Sequence, residues 1–446
     1  MNICVIPIDN RPVCYSLVKD ICAMDESIEL FIPPKDYLGS LTKPANYEVI
    51  IDWMKHLPHM DAMILSLDTL AYGGLIPSRR IKDSFEEVKS RIERIKPLLI
   101  GRKVYAFSSI MRISNNNINE EEKEYWKDWG KKIFEYSYNT SKLLHAANTD
   151  IPKDILEDYL KTRKRNFEIN KFYLEWQKAG LFDTLIFSKD DCAEYGLNVE
   201  EANEIERLGG KVKTGADEIP LSLLARAIIK EIKVFPVYTE PEYKNKISNY
   251  EDISLEKSVL GQLELGGFKI ADNEKEADIV LVINNFIEKQ GELVMGWNTQ
   301  LYTGKFAPPE KPFAVADVRY ANGADNGFVS QLFGSQLPEY GYSAWNTSSN
   351  TLGSLLTGIK VKFNAKNYND SAYKKLQIIR YLDDWAYQAN IREQIEEPCD
   401  IKDLMKPYEE KVLRKVYGNS DIPELNINYL YPWGRKFEIE VKVRNL

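Results

Sequence analysis

Four times between residues 184 and 283, a strand-like run, a helical segment and another strand-like run follow one another with no hairpin signal between them. Antiparallel neighbours need only a tight turn, whereas parallel neighbours need a crossover, so this order demands a parallel sheet with right-handed connections. The alternation begins at residue 3. Apolar runs at 3–8, 62–67, 104–108, 184–188, 212–214, 234–239, 279–283 and 313–316 make eight strands, with 28–32 and 341–345 left over. Eight favours an α/β fold whose parallel sheet forms a barrel-like (β/α)8 body. The alternative is two open doubly wound sheets divided near residue 230.

On this reading residues 1–365 form the α/β body. A charged, aromatic helical insertion at 120–178 covers one flank or serves as a lid. Residues 366–446 form a C-terminal attachment, with an amphipathic helix over 371–396 and KFEIEVKV (436–443) alternating like an edge strand.

Five of the strand-like runs end in carboxylates: VIPID at Asp9, MILSLD at Asp68, LIFSKDD at Asp190 and Asp191, KTGADE at Asp217 and Glu218, and FAVAD at Asp317. Ligands of parallel sheets collect outside the carboxyl ends of the strands, so these acids are expected to share one cleft. In the Asp190–Asp191 pair, proximity of like charges raises one pKa and leaves a protonated acid beside an ionised base. That division suits acid-assisted cleavage of a glycosidic bond. A solvated turn at Asp190 and a helix cap at Asp191 are the rival reading. Asp217 is balanced between helix capping and ligand binding, which makes Glu218 the better second catalytic carboxylate.

Around these acids, DNRP (9–12) and SLDTLAYGGLIPSRR (66–80) combine carboxylates with Arg11, Tyr72, Arg79 and Arg80 on flexible loops. Arginine presents a planar fork to a carboxylate or oxyanion, and structural ion pairing of Asp9 or Asp68 is an equal reading. ADVRYANGADNG and YSAWNTSSNTLG gather Asp317, Asn322, Asp325, Trp345, Asn346 and Asn350. Amides beside an indole suit a sugar subsite, and NG or GAD alone reads as an ordinary turn.

Composition narrows the chemistry. The 446 residues, 44% of them hydrophobic, supply one large core or two ordinary ones. A net charge of -8 with scattered basic residues argues against nucleic acid or an acidic membrane surface, and favours a neutral or mildly cationic small molecule. The cysteines Cys4, Cys14, Cys22, Cys192 and Cys399 form no CxxC pair and are odd in number, which fits a reducing cytoplasm. No apolar run reaches the ~18 residues of a membrane span. With only His56, His59 and His145, and no GxSxG, GxxxxGK[ST] or GxGxxG, a catalytic triad, a His-rich zinc site and the familiar nucleotide sites lack material. No cofactor and no metal is expected.

The motifs DNRPV, SLDTLAYGGLIPSR, SKDDCAEYG, GADE, VADVRYANGAD and WNTSSNTLG, in this order over residues 1–360, resemble an uncharacterised bacterial family catalogued as a domain of unknown function. That resemblance implies a bacterial source and no settled activity. The Asp-Asp pair with later Trp-Asn and Asn-rich loops is also similar to hexosaminidases that use the substrate's acetamido group as nucleophile. It implies an orienting role for Asp190 and proton donation by Asp191, while the surrounding residues do not match. The leading expectation is a glycoside hydrolase acting on a small glycan or glycoconjugate, with an N-acetylhexosaminide as the candidate the hexosaminidase resemblance implies, and with Asp190, Asp191 and Glu218 catalytic. The alternatives are a metal-dependent phosphoester hydrolase or transferase and a non-catalytic sugar-binding protein.

Overall fold

The computed structural model of the protein describes residues 1–145, 147–190, 193–418 and 422–445. The chain divides into two compact units: residues 1–15, 29–223 and 250–252 form the first, and residues 16–28, 224–249 and 253–446 the second.

In the first unit, β1 (Asn2–Ile6), β2 (Glu29–Phe31), β3 (Ala62–Ser66), β4 (Val104–Ile110), β5 (Thr184–Lys189) and β6 (Lys211–Thr214) form one parallel sheet in the order β2-β1-β3-β4-β5-β6. Every residue of β3 and β4 is buried, as expected of strands covered on both faces. The chain leaves β1 toward β2 on one side and returns to β3 on the other. That reversal makes the β1/β3 boundary the switch point, where open α/β sheets bind ligands.

Helices close both faces. Phe85–Glu93 starts with a Ser84–Glu87 capping box and is followed by a short helical turn, Lys96–Leu99, that contains Pro97. Within the 120–178 insertion the regular elements are Trp126–Leu143 and Lys153–Lys178. From the latter, Ile169, Tyr173, Leu174 and Trp176 enter the same apolar cluster as Met63 and Leu65 of β3 and Phe187 of β5. Asn170 of this helix accepts a hydrogen bond from Ser108 and donates one to the Ser109 carbonyl of β4, so the long helix is a flank of the sheet.

The second unit repeats the pattern. β7 (Lys233–Tyr238), β8 (Lys269–Ile270), β9 (Ile279–Asn284), β11 (Phe313–Asp317) and β13 (Tyr342–Ser343) form a parallel sheet in the order β13-β11-β9-β7-β8, with its own switch point between β7 and β9. A small parallel pair joins β10 (Gly291–Glu292) to β12 (Tyr320–Ala321), and an antiparallel pair joins β14 (Leu425–Leu430) to β15 (Glu440–Asn445). Residues from 366 onward belong to this unit. The expected 371–396 helix is α-helical over Asp370–Arg380 and winds as a π-helix over Tyr381–Ile391.

Among the described residues no sheet closes into a barrel. The eight strands counted from sequence fall five to the first sheet and three to the second, and both leftover runs are strands as well. Long-range pairing decides closure, and here β2 and β6 each end an open sheet. Among the described residues, too, no helix is long and apolar enough to cross a membrane, and Cys4, Cys14, Cys22 and Cys399 are free thiols.

Leu65, the fourth residue of β3, is unexposed and lies inside the first unit's core. Leu65→Ala is expected to lower stability by about 2–5 kcal/mol, read as a lower urea midpoint.

Candidate functional site

At the end of β1, the DNRP loop folds on its own carboxylate. Asp9 accepts from the Arg11 backbone N–H and from Arg11 Nε, both at 2.9 Å. The guanidinium then reaches across the sheet edge, where Nη2 lies 2.5 Å from Asp217 Oδ1 and Nη1 lies 3.1 Å from Oδ2. β1 and β6 are separated by β3, β4 and β5, about 19 Å in a flat sheet. The Arg11 fork therefore clasps two loops over the carboxyl ends of the three central strands. Burial pushes the Asp217 carboxyl up, and Arg11 opposes that rise. The Cys14 thiol lies 3.9 Å from Asp217 Oδ1.

The loop after β3 is shaped to pass close beside β1. Ser66 caps the helix Leu67–Tyr72, and Thr69 donates its hydroxyl to the Pro7 and Ile8 carbonyls. Gly74 is left-handed at φ 135°, and a Cβ there would sit 3.1 Å from the Ile8 carbonyl oxygen. Asp68, in the first turn of this helix, is 1% exposed and accepts from the Ser109 N–H of β4 at 2.8 Å. Burial raises its carboxyl to about 7. Tyr72, a candidate substrate contact, is buried with the Arg165 guanidinium 5.2 Å from its ring centroid.

Arg79 and Arg112 organise the middle of the edge. Arg79 is 2% exposed; its Nε lies 3.1 Å from Glu122 and its Nη2 donates to the Glu121 carbonyl, while Nη1 has no partner. Arg112, in the loop after β4, pairs with Glu121 at 2.8 Å, Glu122 at 3.3 Å and Asp190 at 3.4 Å. The charge of Glu121 also reaches Asp217, which links this group to the Arg11 clasp. Arg112, Glu121 and Glu122 carry no strong signal in the sequence. Arg112 closes the run VYAFSSIMR as aspartates close the others, and NEEEKE reads locally as the start of a charged helix.

Asp190 thus stands at the edge of β5 with its side chain 24% exposed, and Asp191 lies outside the described residues. Glu218 turns inward: it is unexposed, accepts from the Ala216 N–H, and curls over Gly215, where a Cβ would meet Glu218 Oε1 at 1.8 Å. Its carboxylate builds the loop that presents Asp217.

The remaining expected residues belong to the second unit. Asp317 accepts from Asn284 (2.8 Å), the Asp325 N–H (2.9 Å) and the Tyr342 hydroxyl (3.0 Å). Burial and Asp325 push its carboxyl to about 7 against those donors. Asp325 caps helix Asn326–Gly334 and pairs with buried Arg319 at 3.3 Å. Asn322 and Asn346 are left-handed at φ 63° and 61°, and the Asn322 N–H donates to the Asn346 carbonyl. Trp345 is 4% exposed, its indole inside the second unit. Asn350, in the first turn of helix Ser348–Asn364, donates to the Thr347 hydroxyl.

Two outcomes follow. Gly215→Ala is expected to cost about 1–3 kcal/mol in urea denaturation, because φ 106° and the Glu218 carboxylate both exclude a side chain. Asp68 binds its proton more tightly when folded, so its stabilisation is complete below pH 3.8 and is lost as pH rises toward about 7. Asp68→Asn keeps an acceptor for Ser109 and should flatten part of the stability decline across that window; an unchanged slope contradicts a raised Asp68.

The sequence profile of a family described as a protein of unknown function (DUF4127) matches residues 3–442. No curated protein matches the chain.

Proposed function

Because the chain belongs to the DUF4127 family, whose description assigns no activity, we propose a function from the site's own chemistry: a glycoside hydrolase working at the carboxyl edge of the first sheet. One observation carries the reading. Three guanidiniums (Arg11, Arg79, Arg112) stand among six carboxylates (Asp9, Asp68, Glu121, Glu122, Asp190, Asp217), and the buried Arg79 Nη1 still has a proton to give. The excess of carboxylates disfavours an anion. A sugar hydroxyl fits, because it accepts from a guanidinium and donates to a neighbouring carboxylate at once.

In this reading Asp190, fixed by Arg112, orients the substrate or acts as nucleophile, and Asp191 donates the proton to the leaving oxygen, the role first assigned from sequence. Asp217 takes the assisting role earlier given to Glu218, whose carboxylate is engaged in its own loop. Arg79 binds substrate. The sugar class, N-acetylated or not, rests on the Asp-Asp likeness alone.

Among the described residues one feature supports the metal-dependent alternative. Ligand atoms of Asp9, Cys14 and Asp217 lie within 4.8 Å of one another. The Arg11 guanidinium already stands between the two carboxylates, 2.7 Å from Asp9 and 2.5 Å from Asp217, in the place a divalent cation would take. The hydrolase reading is therefore preferred.

A panel of chromogenic glycosides tests it. Wild type is expected to turn over at least one member after exhaustive chelation. Asp191→Asn and Asp190→Asn should each lower kcat by about 100-fold or more, and Arg79→Lys should chiefly raise KM. Full activity in Asp191→Asn, or activity abolished by chelation and restored by Mg2+, contradicts the assignment.

A further inference from the structure

The second unit contains a buried guanidinium whose two terminal nitrogens find no hydrogen-bond partner among the described residues. Arg392 directly follows the π-helix Tyr381–Ile391 and is 3% exposed. Neither its Nη1 nor its Nη2 has a hydrogen-bond partner, and no carboxylate among the described residues pairs with it. Its charged neighbours are otherwise engaged. Glu292, the strongest opposing charge, accepts from Val294 N–H, Met295 N–H and Asn322 Nδ2. Asp383 is held by Arg380 at 3.1 Å, the Tyr387 hydroxyl donates to the Lys436 carbonyl, and Glu393 faces solvent.

An isolated guanidinium taken out of water is among the costliest groups to bury, and it persists where a partner completes it. One turn earlier, the buried Gln388 Oε1 is likewise without a donor, while its amide nitrogen is spent on Asp383 and the Phe437 carbonyl. The backbone that carries both groups is fixed in an unusual form. Arg392 N–H bonds back to the Tyr387 carbonyl, and extended π-helical winding is rare and frequent at functional sites.

We propose that Arg392 and Gln388 form a second ligand site, for a small oxyanion that also carries a hydroxyl. The paired Nη groups match two oxygens of one carboxylate or phosphate in a fork, and the hydroxyl donates to Gln388 Oε1. Because the site lies within the second unit and uses none of the proposed hydrolase residues, it stands or falls separately from that reading.

The test is thermal denaturation and titration calorimetry of the full chain in an anion-poor buffer, with inorganic phosphate and glycolate as probes and chloride as control. Wild type is expected to melt higher with phosphate, glycolate or both; the probe that acts identifies the class. Arg392→Met should abolish that shift while melting no lower than wild type without probe, since it removes a charge that has no partner. Arg392→Lys, which keeps the charge and loses the fork, should bind at least about tenfold more weakly and serves if the Met variant fails to fold. No shift in wild type with either probe, or an undiminished shift in Arg392→Met or Arg392→Lys, overturns the proposal.

Discussion

The arginine clasp at the edge of the first sheet is the constraint on which the candidate site depends. Loops leaving β1 and β6 begin on opposite sides of three central strands, and each carries a carboxylate that would repel the other. Arg11 sits between Asp9 and Asp217, turns that repulsion into two attractions, and holds the loops over the ends of β3, β4 and β5. Asp68, Arg112 and Asp190 emerge beneath that span. A buried bridge of this kind adds little net stability, because desolvation offsets the Coulomb gain, so its effect is mainly to fix geometry.

Arg79 and Arg112 carry the same logic inward. Each carboxylate of Glu121 and Glu122 is shared by the two guanidiniums, which fixes four charged side chains and leaves Arg79 Nη1 without an acceptor. A region of alternating charge with hydrogen-bonding capacity left over recognises groups that both donate and accept. Each hydroxyl of a sugar does so, and neither a metal ion nor a fully deprotonated anion does.

Much of the fold is legible in the sequence, because apolar runs bounded by turns and helical periodicity are local properties. The parallel direction, the position of nearly every strand and the possible division near residue 230 all follow from them. Barrel closure does not, since it depends on which strand ends a sheet. Of the candidate residues, Asp9, Arg11 and Asp217 could be picked out because acids at strand ends face the ligand side of a parallel sheet, although their pairing across 206 residues could not. Asp317, Asp325 and Trp345 carry the same local signals and are turned into the second unit's interior. A helix cap, a buried acceptor and a ligand contact look alike in one dimension. The π-helical winding of Tyr381–Ile391 likewise has no local signature beyond ordinary amphipathicity.

The central claim is that the clasped edge of the first sheet receives a sugar. The most direct measurement is a crystal structure of the protein with an iminosugar, whose ring nitrogen suits the excess of carboxylates and whose hydroxyls mimic the substrate. The account predicts the ring beneath the Arg11 clasp, with a hydroxyl accepting from Arg79 Nη1 and the ring or its nitrogen against Asp190. An iminosugar bound away from Arg79, Arg112 and Asp190, or a divalent cation seated between Asp9 and Asp217 with Arg11 displaced, would contradict it.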